Sequence, residues 1–160
     1  MTTIAYKDGV IAYDSRVTRG SLIDHDDYEK LIHRNGHQFL FTGSGCDFPA
    51  LIDEYLGLKL SEKPLEASGV VITNGRLYQI GHDAESGFWV DEVWLERSYA
   101  AGSGRDFALA AMDMGATAKE AVELAAKRDA YTGGTIRTLI IDEVRANAKT
   151  APAAVIAQAV

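Results

Sequence analysis

The sequence predicts an α+β fold in which two antiparallel sheets pack face to face with helices on the outside. Three dipeptides typical of tight hairpin turns, Asp8-Gly9, Asn35-Gly36 and Asn74-Gly75, each lie between β-rich segments. The segments with helical spacing give the order strands, one helix, strands, two helices and a last strand. Because elements of one type cluster along the chain, a layered α+β domain is favoured over alternating βαβ units.

Eight strands are predicted, six of them as hairpin arms and two as separate segments. The arms are residues 3–7 with 10–14, 30–34 with 37–43, and 69–73 with 76–81. The separate strands are residues 88–95, which contain both tryptophans, and residues 135–142. Because the two arms of a hairpin run in opposite directions, these pairs imply antiparallel sheets.

Three helices are predicted between the strands. The first covers residues 46–58, with Pro49 in the first turn, where a missing N–H costs little. The second starts with a Ser-x-x-Asp cap at Ser103 and stops at Gly115. The third follows a capping box of Thr117 and Glu120 and presents a stripe of small residues. We expect residues 1–142 to form one domain and residues 143–160 an Ala-rich, weakly helical tail.

Composition excludes several classes of protein. The chain has 160 residues, of which 47% are apolar, so it can bury one ordinary core. Its net charge of -7 repels phosphate groups, which gives no reason to expect nucleic acid or an anionic membrane as a partner. The four histidines lack the spacing of metal ligands, so neither a metal nor another cofactor is predicted.

The location of the protein is predicted from its cysteine content and its apolar runs. Cys46 is the only cysteine, so an internal disulfide is impossible and a reducing cytoplasm fits better than export. Charged residues at Lys7, Asp8 and Asp14 interrupt the first segment, which excludes a secretory signal. No apolar run approaches the roughly 20 residues that span a bilayer. We therefore expect a cytoplasmic protein.

Thr2 is the first candidate for a catalytic residue. Removal of Met1 would leave a threonine that carries both a hydroxyl nucleophile and a free α-amine, which is able to act as its base. An α-amine has an ordinary pKa of about 7.7–8.0, so it needs little adjustment to accept a proton at neutral pH. Thr is also small enough for an aminopeptidase to remove the methionine before it. The alternative is that Thr2 merely follows the start codon.

Asp14 and Lys30 are the next candidates. Asp14 ends the return arm of the first hairpin and is therefore close to the chain start, while Lys30 opens the segment KLIHR. A cation beside Thr2 would lower the pKa of its hydroxyl and of its amine, and a carboxylate would hold that cation in place. The alternative is an ordinary surface ion pair.

Five segments in a fixed order resemble those of proteasome β-subunits and the bacterial HslV peptidase: TTIAYKDGVIAYDSRVTRG, EKLIHR, FLFTGSGCD, AAGSGRDFALAAM and RDAYTGG. These proteins are N-terminal-nucleophile (Ntn) hydrolases with an αββα sandwich. The resemblance covers nearly the whole chain up to Asp142. It implies a four-layer αββα fold and a threonine endopeptidase that cleaves peptides or unfolded proteins.

The resemblance assigns a role to each matching residue. In the reacting centre, Thr2 resembles the nucleophile, Asp14 the carboxylate of the D-x-R-x-T segment, and Lys30 the lysine that depresses the threonine's pKa. Gly43 resembles the source of the oxyanion-hole amide, and Ser103 the serine that hydrogen-bonds the α-amine.

Further residues resemble the supporting and substrate-binding groups of the family. Asp129 and Thr132 in RDAYTGG match its supporting acid and hydroxyl. Thr18 matches a contact to the substrate main chain, and Phe41, just before Gly43, is expected to approach the first specificity pocket. The physical role of Ser103, Asp129 and Thr132 would be to hold the amine and its relay water in fixed positions.

One departure from the family concerns assembly. Only one helix fits between Gly45 and Ser68, where proteasome and HslV subunits have two antiparallel helices. One outer helix is therefore expected to be missing, and that side of the sandwich to be half covered. A homo-oligomer is implied, while ring size and an ATPase unfoldase partner are not carried over, because those helices form part of the corresponding contacts.

Two other functions stay open at this point. The fold is also suited to a catalytically inactive scaffold that retains Met1, because a blocked amine cannot act as a base. The same site would also suit an amidohydrolase or ligase that acts on one specific substrate. The mature N-terminus distinguishes the scaffold from both enzymes.

Overall fold

The computed structural model describes residues 1–141, so the predicted tail at 143–160 lies outside the described residues. Eleven strands and three α-helices are present in this part of the chain. In chain order they are β1 (Thr3–Lys7), β2 (Val10–Tyr13), β3 (Val17–Arg19), β4 (Leu22–His25), β5 (Ile32–Arg34), β6 (His37–Gly43), α1 (Phe48–Tyr55), β7 (Ala67–Thr73), β8 (Arg76–Asp83), β9 (Gly87–Val93), β10 (Tyr99–Gly102), α2 (Arg105–Asp113), α3 (Ala118–Ala126) and β11 (Arg137–Ile140).

The strands form two main sheets and a separate hairpin. The first sheet has the order β10-β1-β2-β11, and the second has the order β5-β6-β7-β8-β9. Every strand pair in both sheets is antiparallel. Strands β3 and β4 pair only with each other and extend from the end of β2.

Apolar residues divide into three buried clusters that separate four layers. Ile4 and Ile11 of the first sheet pack against Leu40 and Val70 of the second. Their neighbours on the opposite face of the first sheet, including Ala5, pack against α2 and α3, where small residues allow close approach. Aromatic residues on the outer face of the second sheet pack against α1. The predicted αββα sandwich is therefore confirmed.

The outer layer over the second sheet contains α1 alone. A 3₁₀ turn at Gly45–Asp47 leads into this helix, which ends at Tyr55, and the chain re-enters the sheet at Ala67 without forming a second helix. The prediction that one helix is missing from one layer is therefore confirmed within the described residues.

Local sequence signals account for the turns and for one helix start. The three predicted hairpin dipeptides all have positive φ at both residues, for example 49° at Asp8 and 82° at Gly9. This geometry matches the right-handed twist of the strands on either side. Thr117 and Glu120 form both hydrogen bonds of the predicted capping box.

Three details differ from the predictions. The β3–β4 hairpin was not predicted, because all four side chains of β4 are exposed and show no alternation. Strand β10, with the sequence YAAG, lacks β-branched residues and is held by its pairing with β1. The predicted cap at Ser103 is wrong, since Gly104 occupies the N-cap position and no side chain caps α2.

Among residues 1–141, no helix is long and apolar enough to cross a membrane. In the same part of the chain, no three His, Cys, Asp or Glu side chains lie close enough together to hold a metal ion.

Candidate active site

The chain start is held at the open end of the sandwich. Thr3 pairs with Gly102 at the end of β10, and Thr2 is only 4% exposed. The side chains of alternate residues in a strand share a face, so Thr2 lies on the same side of β1 as the core residue Ile4. The chain start therefore reaches the space between the two sheets.

Lys30 and Asp14 form a buried ion pair beside this chain start. The Lys30 Nζ donates hydrogen bonds to Asp14 Oδ1 at 2.9 Å and to the carbonyl oxygen of Met1 at 2.8 Å. The two side chains are 7% and 0% exposed. The alternative of an exposed surface pair is therefore wrong, and a buried ammonium group contacts the carbonyl group that precedes Thr2.

The carboxylate of Asp14 is surrounded by donors. Besides Lys30, it accepts hydrogen bonds from the backbone N–H groups of Thr3 at 2.9 Å, Gly133 at 3.0 Å and Arg16 at 3.2 Å. A carboxylate with this many donors is held in a single orientation. Asp14 therefore fixes Lys30 in space.

Two cationic groups near the chain start have shifted pKa values. Burial lowers the pKa of Lys30 below its usual value, although Asp14 acts in the opposite direction. Burial and the neighbouring Lys30 also lower the pKa of the Met1 α-amine, which Asp14 and Asp129 partly offset. An amine in this place therefore loses its proton more readily than an ordinary chain terminus.

A cavity of about 650 Å³ opens directly onto the chain start. Five of the nine residues singled out from the sequence line it: Thr2, Thr18, Lys30, Phe41 and Gly43. Its other walls come from the β3–β4 hairpin and from the start of α1. The cavity has the volume of pockets that bind small molecules of drug-like size, and its lining combines apolar residues with a few polar ones.

Gly43 and Phe41 define the side of the cavity that belongs to β6. Gly43 has a φ of 98°, and a side chain here would overlap the carbonyl oxygen of Glu66, so only glycine fits. The Phe41 ring is stacked on Phe48 with ring centroids 5.0 Å apart and is almost fully buried. It forms a rigid apolar floor.

The remaining predicted residues lie on the far side of β1. The Thr132 Oγ1 donates to Asp129 Oδ2 at 2.5 Å and lies 2.6 Å from Thr3 Oγ1, which accepts from the N–H of Gly104. Burial alone would raise the pKa of Asp129, but hydrogen bonds to its carboxylate lower it on balance. This network fixes the turn before α2 against the chain start.

Ser103 is close to Asp129 and favours its charged form. However, the Ser103 Oγ is buried and forms no full hydrogen bond with any of residues 1–141. The Thr2 nitrogen instead lies 3.4 Å from the Oγ1 of Thr42 on β6. The role of Ser103 as a partner of the amine therefore stays a prediction.

Sequence reasoning missed Thr42 and assigned no task to Arg16. The Arg16 guanidinium bonds both oxygens of Asp26, at 2.7 and 3.1 Å, and the carbonyl oxygen of Ala130 at 3.1 Å. It thus joins the segment after β4 to the loop that contains Asp129. The segment D-x-R-x-T was the available signal for Arg16, whereas Thr42 stands in no pattern that marks a buried polar contact.

We expect the substitution Gly102→Ala to displace the chain start. Gly102 has a φ of 92°, and an added Cβ would overlap the carbonyl oxygen of Thr2. Unfolding in urea should show a loss of about 3 kcal/mol, because backbone strain and a backbone clash add together. Gly115→Ala is the matched control: its φ is 103° but its Cβ would meet open space, so about 1 kcal/mol is expected. Equal losses in the two variants would contradict a clash at Thr2.

No family model matches this sequence, and no curated protein matches it. Solved structures do. Thiobacillus denitrificans BPH in complex with epoxomicin is 20% identical, with a TM-score of 0.63, over 87% of this chain and 96% of that one. A second structure of Thiobacillus denitrificans BPH is 22% identical, with a TM-score of 0.62, over 87% of this chain and 96% of that one. Eukaryotic HslV from Trypanosoma brucei is 19% identical, with a TM-score of 0.67, over 88% of this chain and 98% of that one. At these identities the similarity establishes a shared fold.

Proposed function

We propose that this chain, which has the HslV-like Ntn-hydrolase fold, is a threonine peptidase whose nucleophile is Thr2 after removal of Met1. One observation carries this proposal: the buried Lys30–Asp14 pair meets the chain start at the mouth of a cavity that Thr2 and Gly43 also line. A buried cation is costly to keep, so its presence in a cavity that Thr2 also lines favours a catalytic role for both residues.

Acylation would begin at the Thr2 hydroxyl. The neutral α-amine of Thr2 takes the proton of Oγ1 while Oγ1 bonds to the carbonyl carbon of the substrate. The carbonyl oxygen becomes negatively charged, and we assign its stabilisation to the N–H of Gly43. The ammonium proton then passes to the leaving nitrogen as the C–N bond breaks, which leaves an ester on Oγ1.

Deacylation would use the same groups in reverse. A water molecule attacks the ester carbon and gives one proton to the α-amine. The oxyanion forms again and collapses as the bond to Oγ1 breaks, and the amine returns its proton to Oγ1. The enzyme recovers its starting state, and the second product leaves as a carboxylic acid.

Lys30 would stabilise negative charge on Oγ1. Its ammonium group now donates to the Met1 carbonyl oxygen, so removal of Met1 releases a donor at the chain start. Three backbone N–H groups hold the Asp14 carboxylate in place, and Asp14 in turn holds Lys30. The ammonium group therefore does not have to reorganise during the reaction. A cation in this place lowers the pKa of the hydroxyl and of the amine.

The substrate would be a peptide in extended conformation. Thr18 on β3 and Gly43 on β6 both line the cavity, and backbone groups there are suited to pairing with a substrate main chain. The buried Phe41 ring favours an apolar side chain next to the cleaved bond. We therefore propose peptides or unfolded protein segments as the substrate class.

We further propose that the protein works in the cytoplasm as a homo-oligomer. The β3–β4 hairpin beside the cavity exposes Leu22 and Ile23 by 73% and 53%. A two-stranded hairpin is marginally stable by itself in water, so contact with a second copy would stabilise it. Light scattering coupled to size-exclusion chromatography tests this proposal, and a monomer at micromolar concentration would contradict it.

Intact-mass spectrometry after treatment with a peptide epoxyketone such as epoxomicin tests the peptidase proposal. We expect the mass of the mature chain without Met1, and one adduct that maps to Thr2. Assembled protein that lacks Met1, never forms an adduct and cleaves no peptide library would contradict the proposal. A retained Met1 would favour the scaffold, and an adduct without peptide cleavage would favour an amidohydrolase or ligase with one specific substrate.

A further inference from the structure

Thr42 lies at the end of β6 that meets the chain start. It stands two residues after the core residue Leu40, so its side chain is on the face of the second sheet that looks toward the first. Thr42 is 8% exposed, and it is followed directly by Gly43. Its hydroxyl is therefore a buried polar group between the two sheets, and such a group is retained at a cost in free energy unless it forms a hydrogen bond.

The hydrogen bond of this hydroxyl is with the Thr2 nitrogen. The N–H of Thr2 donates to Thr42 Oγ1 across 3.4 Å, between residues 40 positions apart in the sequence. Within residues 1–141, the buried Ser103 hydroxyl forms no full hydrogen bond and so does not compete for this nitrogen. The geometry thus gives the proposed base one hydroxyl partner, and it comes from the second sheet.

We propose that Thr42 is a positioning residue that holds the α-amine of mature Thr2 so that its lone pair faces the Thr2 hydroxyl. This inference rests on the proposed peptidase function. Loss of Met1 changes the amide nitrogen into an amine that is free to rotate about its bond to Cα. A hydrogen bond from one amine hydrogen to Thr42 Oγ1 removes that freedom, which favours direct proton transfer within Thr2.

The same contact affects the protonation of the amine. An oxygen that accepts a hydrogen bond from an ammonium group favours its charged form, so Thr42 raises the pKa of the α-amine relative to a site without the hydroxyl. The charged groups that act on the chain start are Lys30, Asp14 and Asp129. None of them is altered when Thr42 is replaced, so a change in the titration of the amine reports on Thr42 itself.

The substitution Thr42→Val tests the inference, because valine keeps the shape and lacks the hydroxyl. We expect the pKa of the Thr2 α-amine to fall by about one unit, as the loss of a hydrogen bond to a charged group implies. The acid limb of kcat/KM should move by the same amount, and kcat should fall by about tenfold with KM unchanged. The pKa is measured from the pH dependence of the Thr2 methyl resonance in NMR spectra, which requires no turnover.

Three further variants make the test specific. Thr42→Ser retains the hydroxyl and should stay within about twofold of the wild type. Thr42→Ala removes the hydroxyl without the valine methyl group and is measured beside Thr42→Val, in case valine prevents folding. Thr73→Val is the matched control, since Thr73 is buried in the neighbouring strand β7 and its hydroxyl has no hydrogen-bond partner in the described chain. It should leave both the pKa and kcat unchanged.

The outcomes separate this inference from the proposed function. An unchanged α-amine pKa and kcat in both hydroxyl-free variants would overturn the role of Thr42. An equal shift in Thr73→Val would overturn it too, since the effect would then come from the sheet in general. A shifted pKa in a protein that cleaves no peptide would support the contact and contradict the peptidase proposal.

Discussion

The substitution Thr2→Ala is expected to reduce peptide cleavage by about 10³-fold or more with only a small loss of stability. The proposed nucleophile is removed, and no other hydroxyl in the described chain would combine with a chain-terminal amine. Within residues 1–141, the Thr2 side chain forms no hydrogen bond of its own. Because the side chain is buried, the loss of its methyl group should lower the free energy of unfolding by about 1 kcal/mol. Turnover of a fluorogenic peptide and urea unfolding provide the two measurements.

Two variants serve as controls for this result. Thr2→Ser keeps the hydroxyl and should retain measurable turnover as well as the epoxyketone adduct. Thr3→Val changes the adjacent residue, whose hydroxyl lies 2.6 Å from Thr132 Oγ1 and accepts from the N–H of Gly104. It should cost about 1–3 kcal/mol of stability, because a buried donor is left unpaired. Full activity in a Thr2→Ala protein that lacks Met1 would show that the nucleophile is elsewhere.

The substitution Lys30→Met is expected to affect both stability and activity strongly. Asp14 is fully buried and would lose the one side chain that forms a salt bridge with it among the described residues. Removal of one partner from a buried ion pair costs about 3–5 kcal/mol, and the three backbone donors to Asp14 place this case at the lower end. If Lys30 stabilises the reacting oxygen as proposed, its loss should also reduce kcat by about 10²–10³-fold. Activity is measured at a temperature at which the variant is folded.

Lys119→Met is the matched control for this substitution. Lys119 forms an exposed i,i+4 pair with Glu123 on α3, and both side chains are about half exposed. Such a pair contributes only about 0.3–0.5 kcal/mol, so stability and activity should hardly change. If Lys30→Met were equally harmless to turnover, the cation would be structural only, and the proposed mechanism would lose its explanation for an activated hydroxyl.

The burial of the Lys30–Asp14 pair illustrates the limit of sequence reasoning. Without context, the two residues were compatible with a surface ion pair, and nothing in their spacing of 16 positions indicates burial. Burial follows from the tertiary contacts around the pair, where Thr3, Arg16 and Gly133 supply backbone donors. Gly133 is 119 positions from Asp14, so no local pattern contains this contact.

The missed β-hairpin and strand β10 have a similar origin. Strand β4 has no buried side chain, and β10 consists mainly of Ala and Gly, so neither has the alternation from which a strand is predicted. Strand β10 exists because Tyr99 to Gly102 pair with β1 in register. The prediction that Ser103 caps α2 was wrong for a related reason. The Ser103 hydroxyl lies next to Asp129, which is distant in the sequence, and Gly104 occupies the N-cap position.

The sequence by itself determined the local structure of this protein: the three hairpin turns, the capping box at Thr117, the single helix between β6 and β7, and the identity of the chemically suited side chains. These features depend on residues within a few positions of one another, where φ preferences and hydrogen-bond caps act directly. Only the tertiary structure decided which side chains meet. Thr42 and the Thr2 nitrogen, or Asp14 and Gly133, are brought together by sheet packing, whose free energy comes from burial along the whole chain.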